Sequence, residues 1–546
     1  MHKAEPYATR QHEISLHSLG EWCVIVSESM RKWLWYLLAG GALHAAIIKG
    51  SVVENQTGKA LSRTLVSIAP VPGSAGPTAS VRTNTYGMFE FVNLPGGAYL
   101  IQASRRGFMT ARCGQKNWRA AGQPVVVEQD QSTFLSIRLA RFSSISGAIV
   151  DENDVGLPDH EVVAMSNTRP PRVMAKAQAD DRGMYRIAGL DPGSYLVRTL
   201  ARPFEDGGYL PTFYRETARV DEAGLVETLV DGETTDVKVR PIPGRLYTIS
   251  GTVSNAYGGA MIVTLVSDVG RETITTAENF QFVSKAPGPY ELYAEAPGDR
   301  RGIAMGAYVP LALERDMTGM RVNLLPKARV YFDLVSTRGG RVEDASAIQV
   351  LARRVDLAGE WAVETLRLTN GSGQFVQGRW QLKLAPSAAY VAADFRGLRG
   401  ERPEGSRADG WNEVTVNDSG SVRFAISDKP GAVHGTVTMG AGEPAGGVPV
   451  FLEAYDEVTH KRVVELLTTR SDLRGGYTFA GLAPGTYRLV STFEYNSPGT
   501  GDIDGMSPRV FQVEEGQNQQ QDLDLWVIRL VGRGLAAHSV TIRSGA

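Results

Sequence analysis

One unit recurs along this chain, and the recurrence limits what it can fold into. Four segments open alike: IKGSVVENQTGKALSRTLVSI from Ile48, ISGAIVDENDVGLPDHEVVAM from Ile145, ISGTVSNAYGGAMIVTLVS from Ile249 and VHGTVTMGAGEPAGGVPVFLE from Val433. Each sets β-branched residues around one glycine (Gly50, Gly147, Gly251 or Gly435). A turn follows, then a run with apolar residues at every second position, as at Val448, Val450 and Leu452. Period-two alternation marks a strand with one buried face.

A second half recurs behind each opening: TNTYGMFEFVNLPGGAYLIQA, ADDRGMYRIAGLDPGSYLVRT, TAENFQFVSKAPGPYELYAE and SDLRGGYTFAGLAPGTYRLVS. Asp180-Asp181-Arg182-Gly183 combines a turn-forming Asp with a glycine where φ must turn positive. Asp191-Pro192-Gly193-Ser194 reads as a type II turn, with positive φ at Gly193 and, in the last copy, at Gly485. A turn this tight predicts an antiparallel strand pair across it. Gly50 and Gly96 are as far apart in sequence as Gly147 and Gly193, and the third copy is shortened. Residues 328–427 read as a worn copy, opened by ARVYFDLV and closed by GSGQFVQGRWQLKL.

At 546 residues, with Gly 60 and Pro 27, the chain exceeds one compact core and favours turn-rich β structure. The predicted fold class is all-β, a tandem array of about five small antiparallel Greek-key-type β-sandwiches behind an N-terminal signal helix. The expected units are 47–141, 142–245, 246–327 (shortened), 328–430 (divergent) and 431–531, with a leader over 1–46 and a tail over 532–546. Polar or proline-bearing stretches interrupt the alternation near Arg141, Arg245, Lys327 and Pro430.

The leader differs in kind. From Met30 it reads MRKWLWYLLAGGALHAAIIKG: basic Arg31 and Lys32, an apolar run, then small Ala45 and Ala46. That is the order of a secretory signal peptide, and its apolar run is well short of the ~20 residues that span a bilayer. The reading places the initiator at Met30, the mature start near Ile47 and the product outside the cytoplasm, in periplasm, on the cell surface or secreted. It predicts no membrane-spanning segment in the mature chain. Cys23 precedes that start, so Cys113 remains alone and reads as a structural thiol.

The opening [IV]-x-G-x-V strand, the D-x-x-G-x-[FY] turn and L-x-P-G-x-Y together resemble the carboxypeptidase regulatory-like domain family. The first, second and fifth copies fit its pattern well, the third and fourth loosely. The resemblance implies a transthyretin-like sandwich, grouped with carbohydrate-binding-like and starch-binding-like folds. It is specific for scaffold and poor for function.

A search for chemistry returns little. A zinc peptidase needs two close ligands, such as His-x-x-Glu, and His160, His434, His460 and His538 stand one per region without that spacing. The end TIRSGA departs from the Tyr-Arg-Gly-Ser end of transthyretin-like hydrolases, and neither Gly-x-Ser-x-Gly nor a phosphate-cradling loop occurs. Asp180-Asp181 and Glu514-Glu515 read as solvated charge. Asp502-Ile503-Asp504-Gly505 is a fragment of a calcium-type loop without the rest of its ligand run, and reads as a polar loop. The chain is therefore expected to be no enzyme and to use no cofactor and no metal. A net charge of −2 with no basic-aromatic cluster argues against a nucleic-acid partner.

Five tryptophans lie beyond the leader. Trp380 and Trp526 follow strand alternation and read as core. Trp118, Trp361 and Trp411 stand among polar neighbours (KNWRA, GEWAV, DGWNE) and are the candidate glycan-binding residues, since an indole face can stack on a sugar ring. The main reading is an exported polysaccharide-binding protein, favoured by what the family resemblance implies about carbohydrate binding; the alternative is a structural and adhesive spacer whose modules dock other surface proteins. Exposed aromatics clustered in one concave region favour the first, and flat polar faces favour the second.

Overall fold

The structure is a computed structural model. It describes residues 23–26, 45–205, 207–254, 259–296, 304–340, 342, 348–366, 371–403 and 407–528. The expected signal helix lies outside the described residues except for its last two positions, and Ala46 already belongs to a strand, Ala46–Glu54.

The described chain is nearly all β. Its five largest hydrophobic clusters draw on 46–140, 145–239, 249–324, 328–426 and 433–523, each from one run of sequence. We refer to these as modules 1 to 5. Each holds two facing sheets, and module 2 serves as the example. One sheet orders Met184–Leu190, Ser143–Ala148 and Glu233–Thr234, and the other orders Val173–Gln178, Glu161–Ser166, Gly193–Thr199 and Leu225–Thr228. Pairing is antiparallel with one recurring exception. The opening strand of every module pairs in parallel with its closing strand, as Ala46–Glu54 does with Ser132–Leu139 and Ala328–Ser336 with Gly420–Ser427.

That parallel pair explains the strand glycine. A Cβ on Gly50, Gly147, Gly251 or Gly435 would lie 2.2, 2.0, 2.2 or 1.9 Å from a main-chain oxygen of the neighbouring segment (Leu135, Val237, Met320 or Gln521). Only glycine lets the backbones come so close. Opposite each glycine, across the antiparallel pair, stands an aromatic ring: Phe89, Tyr185, Phe280 and Tyr477. Tyr185 donates its hydroxyl to Val237 O at 2.6 Å, and Tyr477 does the same to Gln521 O.

The turns opened by Asn84, Asp180 and Asp472 form as expected. Gly87, Gly183 and Gly475 have φ of 73°, 76° and 80°. Asp180 Oδ1 accepts the amides of Arg182 and Met184, and Asp472 Oδ1 those of Arg474 and Gly476.

The Pro-Gly-x-Tyr segment corrects the expectation. The strands it joins lie in different sheets, Met184–Leu190 in one and Gly193–Thr199 in the other. It is a corner between layers and no hairpin. Both strands keep their apolar side chains inward because the chain crosses the core as it turns. Each corner is closed by the aromatic residue that follows. Tyr99, Tyr195, Tyr290 and Tyr487 donate their hydroxyls to the carbonyl four residues back, at 2.8, 2.7, 3.0 and 2.8 Å. In module 4 Trp380 takes the same place, with Nε1 donating to Val376 O at 2.8 Å. Gly485 has φ of 149°, whereas Gly193 is not among the positive-φ residues. Its amide instead bonds to Thr228 Oγ1 at 3.1 Å as the strand begins.

One further strand comes from the leader region. Cys23–Val26 pairs antiparallel with Ser132–Leu139. A short β-branched segment covers an edge that would otherwise expose unpaired backbone groups. The calcium-like fragment forms a short helix, Thr500–Asp504, with Ile503 buried beneath it.

Candidate functional site

The polar chemistry of this molecule gathers where modules meet. Between modules 3 and 4, the strand Val350–Asp356 alternates strictly, and Arg354 and Asp356 occupy the same inward phase as Val350 and Ala352. Asp356 receives a bidentate pair from Arg271 of module 3 at 2.7 and 2.8 Å, and its side chain is 0% exposed. Arg354 pairs with Glu295 of module 3 at 2.7 Å. Lys327 reaches the same carboxylate at 2.7 Å. Although burial alone would raise the Glu295 carboxyl, Arg354 and Lys327 hold it below the usual range.

Trp361 sits in this seam. Its Nε1 donates to Asp356 Oδ2, and the guanidinium carbons of Arg271 and Arg354 stand 4.5 and 4.7 Å from its ring centroid. Tyr293 of module 3 meets it edge-on at 6.2 Å. Trp411 lies between modules 4 and 5. Arg353 covers its ring at 4.1 Å, and its Nε1 donates to Glu465 of module 5 at 2.9 Å. Lys383 pairs with the same Glu465, and together these contacts hold the Glu465 carboxyl below its usual value against the opposing effect of burial. Trp118 packs against the module 1 core beside Arg119, which also covers Tyr495 of module 5 at 5.2 Å. All three indoles are partly buried, each stands near a different seam, and they do not form one cluster.

Modules 5 and 1 also meet. Lys116 pairs with Glu494 and Arg119 with Asp502, and two main-chain hydrogen bonds cross between Ala121 and Phe493 and between Asn496 and Arg119. Further seams join Glu54 to Arg141 at the module 1–2 boundary, Arg198 to Asp268 between modules 2 and 3, and Arg172 to Glu360 between modules 2 and 4. The last module thus returns to the first, and the sequence of seams closes on itself.

The remaining sequence candidates fall elsewhere. His160 is wholly buried; Nε2 donates to Leu200 O at 2.9 Å, and burial pushes the ring down to about 4. His434 contacts Asn518 and His460 contacts Tyr455, while His538 lies outside the described residues. Cys113 is buried in the module 1 core. Asp502 is engaged by Arg119 and by the Gly499 amide, and Asp504 by Arg488. Among the described residues, no three His, Cys, Asp or Glu side chains gather as metal ligands. No helix there is long and apolar enough to cross a membrane.

The seam arginines and acids escaped the sequence reading. The signal that could have found them is a charged residue in phase with buried positions, as in VLARRVD.

No curated protein matches this chain. Solved structures that match include a streptococcal ancillary pilin, 12% identical over 50% of this chain and 98% of that one, with a TM-score of 0.19. The minor pilin GBS52 of Streptococcus agalactiae is 15% identical over 36% and 95%, with a TM-score of 0.22. The major pilin subunit BcpA of Bacillus cereus is 10% identical over 70% and 99%, with a TM-score of 0.14. Residues 47–140 match the carboxypeptidase regulatory-like domain family, the family that the strand and turn motifs of this segment resemble.

Proposed function

We propose that this chain is a non-catalytic structural and adhesive protein of the cell exterior, whose five modules form one stiff body that docks other surface proteins. The observation that carries the reading is the chemistry of the seams. Aromatic rings, guanidiniums and carboxylates interlock across the module 3–4 and 4–5 boundaries, with Asp356 fully buried. Flexible linkers between independent binding units would leave such surfaces wet. Export rests on the basic, apolar, small-residue order of 31–46.

In this reading Trp118, Trp361 and Trp411 stiffen seams. In the polysaccharide reading the same indoles are sugar platforms. Arg353 over Trp411 and two guanidiniums over Trp361 occupy faces that a sugar would need, which favours the first. The test is a glycan array on residues 46–546, followed by calorimetry and melting of wild type and Trp411→Ala. The structural reading expects a lower Tm for Trp411→Ala and no glycan that depends on it. A glycan whose affinity falls in the variant while Tm stays constant would replace it with the polysaccharide reading. X-ray scattering checks the closed body, which should give a radius of gyration nearer the ~23 Å of a compact particle of about 500 residues than that of an extended string.

A further inference from the structure

A cavity of about 330 Å³ opens where modules 1 and 5 meet, a size within the range of small-molecule sites. Arg112 enters it from the strand Ala111–Arg112 of module 1, and Arg470 from Leu467–Arg470 of module 5. Gln102, Gln123, Ser67 and Thr78 add neutral hydrogen-bonding groups, over a floor that includes Ala69 and Leu100.

The two arginines are unlike the others that lie inside this molecule. Arg271 has Asp356, Arg354 has Glu295, Arg407 has Asp409 and Arg488 has Glu453. Arg470 donates only to main-chain oxygens, Gly447 O at 2.6 Å and Gly122 O at 3.3 Å. The Arg112 guanidinium makes no hydrogen bond to any described residue, and no described carboxylate pairs with either side chain. Burial, and then the like charge of Arg112, push Arg470 down to about 10, and burial pushes Arg112 down as well. Two like charges that line one half-buried cavity without a counter-charge make a cost that a bound anion would lower.

The backbone is shaped around them. A Cβ on Gly122 would stand 2.7 Å from Arg112 Cβ, so glycine is what lets this loop lie against the Arg112 stem. Planar guanidiniums suit the paired oxygens of carboxylate, sulfate or phosphate, and the surrounding amides and hydroxyls suit a polyol or similar small polar frame.

We propose that the cavity between modules 1 and 5 is a binding site for a small molecule bearing an oxyanion, with Arg112 and Arg470 gripping the anionic group from opposite modules. Because the ligand touches both ends of the array, its binding also stabilises the closed body.

The test uses the full chain. Sodium glucuronate and inorganic sulfate are titrated calorimetrically, with glucose as the uncharged control, into wild type, Arg112→Gln and Arg470→Gln, and Tm is recorded with and without each probe. Wild type should bind an anionic probe and gain Tm, glucose should do neither, and each variant should bind at least about tenfold more weakly. Glucuronate without sulfate assigns an organic carboxylate, and sulfate without glucuronate assigns a sulfated or phosphorylated ligand; either supports the site. Arg470→Gln also loses main-chain contacts, so Arg112→Gln is the cleaner variant. Its Tm without ligand should equal or exceed that of wild type, because it removes an unpaired charge. Failure of both anions to bind, unchanged affinity in Arg112→Gln, or a lower ligand-free Tm for that variant would overturn the proposal.

Discussion

Replacing Gly147 by alanine tests why the opening strand carries a glycine. The new Cβ would lie 2.0 Å from Val237 O and 2.5 Å from its carbonyl carbon, both main-chain atoms that no rotamer change can move. Carbon–oxygen contacts settle near about 3.3 Å, so the closing strand must retreat by roughly 1.3 Å. That retreat strains the hydrogen bonds from Val237 N to Ser146 O and from Val239 N to Ala148 O. It also pulls Val237 O from Tyr185, a buried ring whose hydroxyl burial has already pushed well above its ordinary pKa. Overpacking costs about 1–3 kcal/mol and a buried hydroxyl left short of its acceptor about 1–3 kcal/mol. Alanine's lower unfolded-state entropy offsets about 0.4–1 kcal/mol. The net is on the order of 3 kcal/mol, which for a domain of this size lowers Tm by on the order of 15 °C. Gly193→Ala is the control, since its Cβ meets nothing within 4 Å and its backbone does not need positive φ. Scanning calorimetry of both variants decides the matter. A Gly147→Ala protein melting within about 2 °C of wild type would refute the close-approach reasoning.

Three more outcomes are expected. Gly485→Val should cost about 2–4 kcal/mol, because φ of 149° is hostile to a β-branched residue and the new Cβ would stand 2.9 Å from the Arg407 guanidinium; an unchanged urea midpoint would count against it. Asp356→Asn should destabilise the module 3–4 seam by about 3 kcal/mol, read as lost protection of its amides in hydrogen exchange, because Arg271 and Trp361 lose a buried anion. His160 should make stability fall with acid. Its folded pKa of about 4 is below the unfolded value near 6.5, so its neutral form contributes fully above about pH 6.5, and about 3 kcal/mol is lost as pH falls towards 4. The physical reason is that Nδ1 is buried without a partner among the described residues, so a proton there finds no acceptor. His160→Gln should flatten that slope in denaturant titrations at stepped pH, and an unchanged slope would assign it to other groups.

The parts of this fold legible in the sequence are those made by residues close together along the chain. Asp180 meets the amides of Arg182 and Met184 through contacts two and four residues long, so the turn is written in four letters. Alternation across Val448 to Leu452 marks a strand for the same reason, since its period is a local property. The single buried face it predicts is wrong: Phe451 packs in a second cluster with Ile503, and Glu453 is buried against Arg488. The direction of the chain after Gly193 lies just past that limit. Pro-Gly marks a tight change of direction, but whether the chain returns within one sheet or crosses to the facing one depends on where the other strands lie. Here the Tyr195 hydroxyl closes a corner onto Asp191 O.

The sequence by itself determined the β class, the repeated unit, the glycine of each opening strand and the resemblance of residues 47–140 to their family. Only the tertiary structure decided what those glycines face, since Gly147 meets Val237 and Gly50 meets Leu135 across the module. It also decided what covers the indoles. Trp411 reads as exposed among RADGWNE, yet Arg353 caps its ring and Glu465 takes its N–H, and neither neighbour is near it in sequence. The closing of module 5 on module 1 joins Lys116 to Glu494, 378 residues apart. No local period encodes such a pairing, because a salt bridge depends on where two surfaces come to rest, and that is settled by the packing of every module between them.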